Sequence, residues 1–154
     1  MEKTQTIHYQ ECAMTELNAA DRELMEAAIE ATETAYAPYS NFHVGAAARM
    51  SDGTIVKGSN QENIAYPSGL CAERTALFAA SAQHPGAAVE ALAIVGRNPE
   101  GMLTAASPCG ACRQVMAEQQ MKQGSKLKIL CYQTDGKILV FEGVESLLPF
   151  VFTM

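Results

Sequence analysis

The feature that most constrains this chain is a set of three thiols in two short segments. Cys71-Ala72-Glu73-Arg74 carries one of them, and Pro108-Cys109-Gly110-Ala111-Cys112 carries the other two. Three thiolates can hold a Zn²⁺ and leave its fourth position open for water. Any fold for this sequence must bring the two segments to one point. Glu73 lies two residues after the first thiol, well placed to handle that water's proton. Cys109-x-x-Cys112 alone also fits a redox pair or half of a structural zinc site. Cys-Ala-Glu upstream, with a proline before Cys109, turns the pattern toward a catalytic metal site with a carboxylate beside it. A closed structural site needs a fourth ligand, and Cys131, His43 and His84 have no ligand spacing to the others. Cys131 sits in an apolar run and reads as a core thiol, and Cys12 lies in an N-terminal tail.

Both thiol segments fall where helices are expected to start. Helix N-termini carry roughly +0.5 charge and free N–H groups. Those groups, and the full charge of Arg74, can drain negative charge from three sulfurs around one metal. This keeps the pKa of a bound water near neutrality, as catalytic zinc requires. Glu73 then reads as the general base and not as a ligand, because it must be free to carry protons.

The chain is 154 residues long, about one domain. Residues 1–15 show no period and read as a tail, leaving 16–154 as a single domain. A net charge of −6 argues against a nucleic-acid backbone as partner. A small neutral or cationic substrate fits better. No run approaches the ~20 apolar residues of a membrane helix. The N-terminal residues lack the apolar core of a signal peptide, so the expected compartment is the cytoplasm. Thiols stay reduced there, and five cysteines then suggest metal or catalysis.

Periodicity predicts a helix from Asn18 to just before Pro38. A hairpin follows, with strands over 42–50 and 54–59 about the turn Ser51-Asp52-Gly53. A polar loop runs from 60 to 70, and a helix from Cys71 to about His84. Val89–Gly96 reads as a buried strand and 97–108 as a loop. A helix then runs from Cys109 to Met121, and a second hairpin covers 127–133 and 137–141. The alternation implies an α/β fold, a mixed five-stranded sheet with helices on its faces in three α/β/α layers.

Four segments, in order, carry a resemblance. Tyr36-Ala37-Pro38-Tyr39-Ser40-Asn41-Phe42-His43-Val44-Gly45-Ala46-Ala47, Asn60-Gln61-Glu62-Asn63, Cys71-Ala72-Glu73-Arg74-Thr75-Ala76 and Ser107-Pro108-Cys109-Gly110-Ala111-Cys112-Arg113-Gln114 resemble the motifs of the small, zinc-dependent, homotetrameric cytidine deaminases. Cysteine as first ligand points to the tetrameric branch. The resemblance implies one Zn²⁺ per chain on Cys71, Cys109 and Cys112, with Glu73 as proton carrier. It implies that Asn60 and Glu62 hold the ribose hydroxyls and that Phe42 contacts the pyrimidine or sugar. The backbone of Ala72 and Ser107 is implied to hold the base edge and leaving amino group. The terminal Leu147-Leu148-Pro149-Phe150-Val151-Phe152 resembles a family segment whose last Phe reaches a neighbouring subunit's site, which gives Phe152 that role. The activity implied is deamination of cytidine and 2′-deoxycytidine in pyrimidine salvage. A tRNA- or DNA-editing deaminase, a deaminase acting on another base or a nucleoside antibiotic, and a structural-zinc interaction module are the rivals.

Overall fold

The computed structural model covers residues 1–154. In chain order the elements are β1 (Gln10–Ala13), α1 (Ala19–Ala31), β2 (His43–Met50), β3 (Ile55–Ser59), α2 (Ala72–Gln83), β4 (Val89–Arg97), β5 (Leu103–Thr104), α3 (Gly110–Gln123), β6 (Lys128–Tyr132) and β7 (Lys137–Phe141). Asn18 caps α1 by accepting a hydrogen bond from the Asp21 N–H, satisfying one of the donors a helix start leaves free. The helix stops at Ala31, earlier than Pro38 alone suggests, and Thr32–Thr34 tightens into a 3-10 turn. There the Thr32 and Thr34 hydroxyls bond back to the Ile29 and Ala31 carbonyls, competing with the helix ladder. Gly124, at φ 67°, closes α3 in the left-handed conformation that glycine adopts without a steric penalty.

The strands form one mixed sheet in the order β1-β7-β6-β4-β2-β3, with β5 beside β4. Both expected hairpins are present, β2 with β3 and β6 with β7. The β4–β6 pair is parallel and the other pairs are antiparallel. The sheet has seven strands, not five. The two additions are β1 and β5. β1 pairs with β7, but its side chains are almost all exposed, so no hydrophobic alternation marks it. β5 is two residues long and has no period to read.

Strand alternation sorts the core into two layers. Ala47, Ala91, Ala93, Val95 and Leu130 face Leu24, Met25 and Ala28 of α1. Ala46, Ala48, Leu92, Ile94, Ile129 and Cys131 face α2 and α3, including Ala76, Leu77 and Met116. The result is the expected α/β/α stack. Small residues let the helices approach closely. A Cβ on Gly58 of β3 would lie 2.4 Å from the Ala76 nitrogen and 2.8 Å from the Ala72 carbonyl oxygen. The start of α2 is therefore pressed against the sheet, which sets the position of Cys71. No helix is long and apolar enough to cross a membrane.

Candidate active site

Cys71 and Cys109 are the N-caps of α2 and α3, both in extended conformation, and Cys112 lies one turn into α3 and is buried. The Sγ atoms of Cys71 and Cys109 are 3.9 Å apart and those of Cys109 and Cys112 3.5 Å apart. All three lie within 4.8 Å of one another. Zn–S bonds of about 2.3 Å in a tetrahedron require sulfurs roughly 3.8 Å apart, so this cluster has the size for the metal. Cys131, His43 and His84 are not part of it. The donor set is three sulfurs with one side open, the catalytic pattern and not the closed structural one.

Arg74 donates from Nη2 to Cys71 Sγ at 3.5 Å. Without metal, the Cys71 thiol is lowered to about 5. The hydrogen bond from Cys112 is the main cause, joined by those from Arg74 and Cys109 and opposed by burial. Cys112, as the proton holder of that pair and a buried group, is pushed up. Cys131 is pushed up to about 12 by burial and stays a neutral core thiol. Glu73 is 4% exposed. Burial pushes its carboxyl up to about 7, with a smaller contribution from the charge of Cys71.

A cleft of about 730 Å³ opens over the cluster. Phe42, Asn60, Glu62, Ala72 and Ser107 all line it, together with Cys71, Glu73, Arg74 and Cys109. Asn60 is held by β2: its Oδ1 accepts from the Val44 N–H at 2.8 Å and its Nδ2 donates to the Phe42 carbonyl at 2.9 Å. One amide hydrogen and one lone pair remain for a ligand. Glu62 accepts from the Tyr39 and Ser40 N–H groups at 2.9 and 3.3 Å, and from the Ser40 hydroxyl. That hydroxyl, with the two backbone donors, holds its carboxyl below the usual range. Phe152 is not in the cleft of its own chain. It is 72% exposed, and its carbonyl accepts from Gln114 Nε2 at 3.4 Å.

Residues 18–125 match the family model described as the cytidine and deoxycytidylate deaminase zinc-binding region. The chain belongs to this deaminase family. A cytidine deaminase of Halalkalibacterium halodurans is 50% identical over 95 residues, covering 62% of this chain and 68% of that protein. One of Mycobacterium tuberculosis is 44% identical over 102 residues, covering 66% and 71%. Among solved structures, the cytidine deaminase of Burkholderia pseudomallei superposes with a TM-score of 0.72 at 44% identity, over 84% of this chain and 97% of that one. The Mycobacterium tuberculosis enzyme gives 0.69 at 34% identity, over 89% and 100%. The family's zinc-binding region spans both thiol segments, and with this cluster it fits one Zn²⁺ per chain.

Three features of this deaminase site were not legible as functional from the motifs. Ser40 bonds both Glu62 and the Phe42 N–H, so it couples two cleft residues. Tyr39 and Tyr66 meet edge to face at the cleft mouth, with ring centroids 5.9 Å apart. Arg113 donates to the Pro108 carbonyl and to the Leu147 carbonyl, both at 2.8 Å, tying the second thiol segment to the C-terminal segment. An arginine next to a buried cysteine is the only sequence signal for that last contact.

Proposed function

We propose that this chain catalyses the hydrolytic deamination of cytidine and 2′-deoxycytidine to uridine and 2′-deoxyuridine, releasing ammonia. One observation carries the reading: a buried carboxylate, Glu73, shares a cleft with a three-thiol cluster of zinc dimensions. Zn²⁺ held by Cys71, Cys109 and Cys112 would supply the Lewis-acid chemistry that ionises water near neutral pH.

The residues divide the remaining work. Glu73 accepts a proton from the attacking water and passes it to ring N3 as the oxygen adds to C4. It then delivers the second water proton to the amino group, which leaves as ammonia. Asn60 and Glu62 bind the ribose hydroxyls, an amide and a carboxylate sharing the donors and acceptors of a diol. Phe42 packs on the nucleoside, and backbone groups of Ala72 and Ser107 hold the base edge. Arg74 withdraws charge from the Cys71 sulfur. The excess of acidic residues favours a free nucleoside over a nucleic acid. In this reading the enzyme is a cytoplasmic homotetramer of pyrimidine salvage. Phe152 of each subunit closes a neighbour's cleft, which agrees with its exposure in the single chain.

The test is the loss of cytidine's ultraviolet absorbance on adding purified zinc-loaded protein, with deoxycytidine, adenosine and CMP run in parallel. Turnover confined to cytidine and deoxycytidine is expected. Silence on both, from protein holding one zinc per chain, would overturn the substrate reading.

A further inference from the structure

We infer that Gly96 is a positioning residue for the cleft: its missing side chain is the seat of the Phe42 ring. This rests on the functional reading above in so far as Phe42 is taken to touch substrate. Gly96 is in β4, paired with Val44 of β2 on one side and Thr104 of β5 on the other. A Cβ placed on it would lie 2.8 Å from Phe42 Cζ, 3.2 Å from Thr104 Cγ2 and 3.3 Å from the Ala105 carbonyl oxygen. The first distance is well inside van der Waals contact, so the ring tip occupies the space a methyl group would need.

Which neighbour yields to such a methyl is decided by what holds each. The Phe42 backbone is fixed at both polar groups. Its N–H donates to Ser40 Oγ at 3.1 Å, and its carbonyl accepts from Asn60 Nδ2 at 2.9 Å. The Ala105 segment is fixed as well, because the Ala105 N–H donates to Thr134 Oγ1 at 3.2 Å and the Thr104 and Thr134 hydroxyls are 3.1 Å apart. The free coordinate is rotation of the Phe42 side chain. Phe42 and Ala105 both line the cleft, so a ring displaced from its seat on β4 moves into the space a nucleoside would fill. The depth of the cleft at this wall is therefore set in β4, on a residue that does not itself line it. The polar groups of Phe42 bond to Ser40 and Asn60 and to neither the thiols nor Glu73, so its displacement is expected to act on binding rather than on proton transfer.

The experiment uses the zinc-loaded enzyme and the variants Gly96→Ala, Phe42→Leu and their combination. In Gly96→Ala, KM for cytidine is expected to rise at least about fivefold with kcat little changed, the pattern of lost uniform binding. Leucine has no atom at the Cζ position. The double variant should therefore show the KM of Phe42→Leu alone, the non-additivity of two residues in contact. Additive effects in the double variant, or an unchanged KM in Gly96→Ala, would overturn the inference. A carbon-13 label at Phe42 Cζ gives a readout independent of turnover: its NMR signal should move in Gly96→Ala. An unmoved signal refutes the seat even in a protein that proves inactive on cytidine, whereas wild-type silence on cytidine refutes only the functional reading.

Discussion

Burying Glu73 beside three thiols costs free energy that an apolar residue at the same position would avoid. A carboxyl at 4% exposure adds nothing to packing that an apolar residue would not, and the proposed mechanism uses it as the proton carrier. Glu73→Gln keeps the shape and removes the proton carrier. We expect kcat to fall by about 10³ or more, with zinc content unchanged by metal analysis; an unaltered kcat would remove Glu73 from the mechanism. Arg74 acts at one remove. Its Nη2 is 3.5 Å from Cys71 Sγ, so Arg74→Ala strips the sulfur of its only charged donor. Zinc affinity should fall about 10–100-fold in chelator competition, with the far-ultraviolet circular dichroism unchanged.

At the scale of elements, the site depends on how closely α2 packs on β3. The atoms facing Gly58 are backbone, the Ala76 nitrogen and the Ala72 carbonyl oxygen, and backbone within a helix cannot swing aside as a side chain can. Gly58→Ala should therefore push the start of α2 off the sheet. A loss of about 1–3 kcal/mol in stability is expected by chemical denaturation. Because Cys71 is the N-cap of that helix, zinc affinity should fall together with stability, and retention of full zinc affinity would show that the thiol cluster is insulated from the packing of α2. The contrast with Gly96 is instructive. One glycine faces backbone and controls stability; the other faces the tip of a ring and controls a cleft wall.

At the scale of the molecule, one buried carboxylate ties the α1 layer to the sheet. Asp21, 3% exposed, lies 2.9 Å from Arg49 Nη1 of β2 and 3.1 Å from Lys128 Nζ of β6. Burial raises its pKa, but the contacts with Arg49 and Lys128 outweigh that and leave it lowered. The unfolded carboxyl titrates near 3.9. The stabilisation is thus complete above about pH 4 and is lost as pH falls through the lower folded value. Urea unfolding across this acidic range should show stability falling in the wild type, and a flatter profile in Asp21→Asn. The variant should be about 3 kcal/mol less stable at neutral pH, because Lys128 loses its carboxylate and Arg49 is left with Glu90 alone at 3.6 Å. The proposed tetramer makes a separate prediction. Glu73→Gln and Phe152→Ala subunits, each impaired alone, should regain activity when unfolded and reassembled together, since some clefts would then join an intact Glu73 to a neighbour's intact Phe152. Mixtures no more active than their parents would confine Phe152 to its own chain.

The sequence by itself determined the local chemistry and the layers. Thiol spacing identified the cluster, because Cys109 and Cys112, three residues apart at a helix start, must lie together, and the glutamate beside the first thiol proved to be a buried carboxylate lining the same cleft. Apolar runs broken at Ser51-Asp52-Gly53 and Thr134-Asp135-Gly136 marked both hairpins, and the succession of helices and strands implied the α/β/α layers, because turn residues and changes of period are local features. β1 and β5 escaped: one is exposed on nearly every side chain and the other is two residues long, so neither carries a pattern. What only the tertiary structure decided lies between segments distant in the chain. It brought Cys71 within 3.9 Å of Cys109 and clamped Asn60 onto the backbone of β2. It also showed that Glu62 is held by Ser40 and that Gly96 lies under Phe42. Such contacts follow from the register of strands and the approach of helices, and these are fixed by close packing over the whole core and not by any local run of residues.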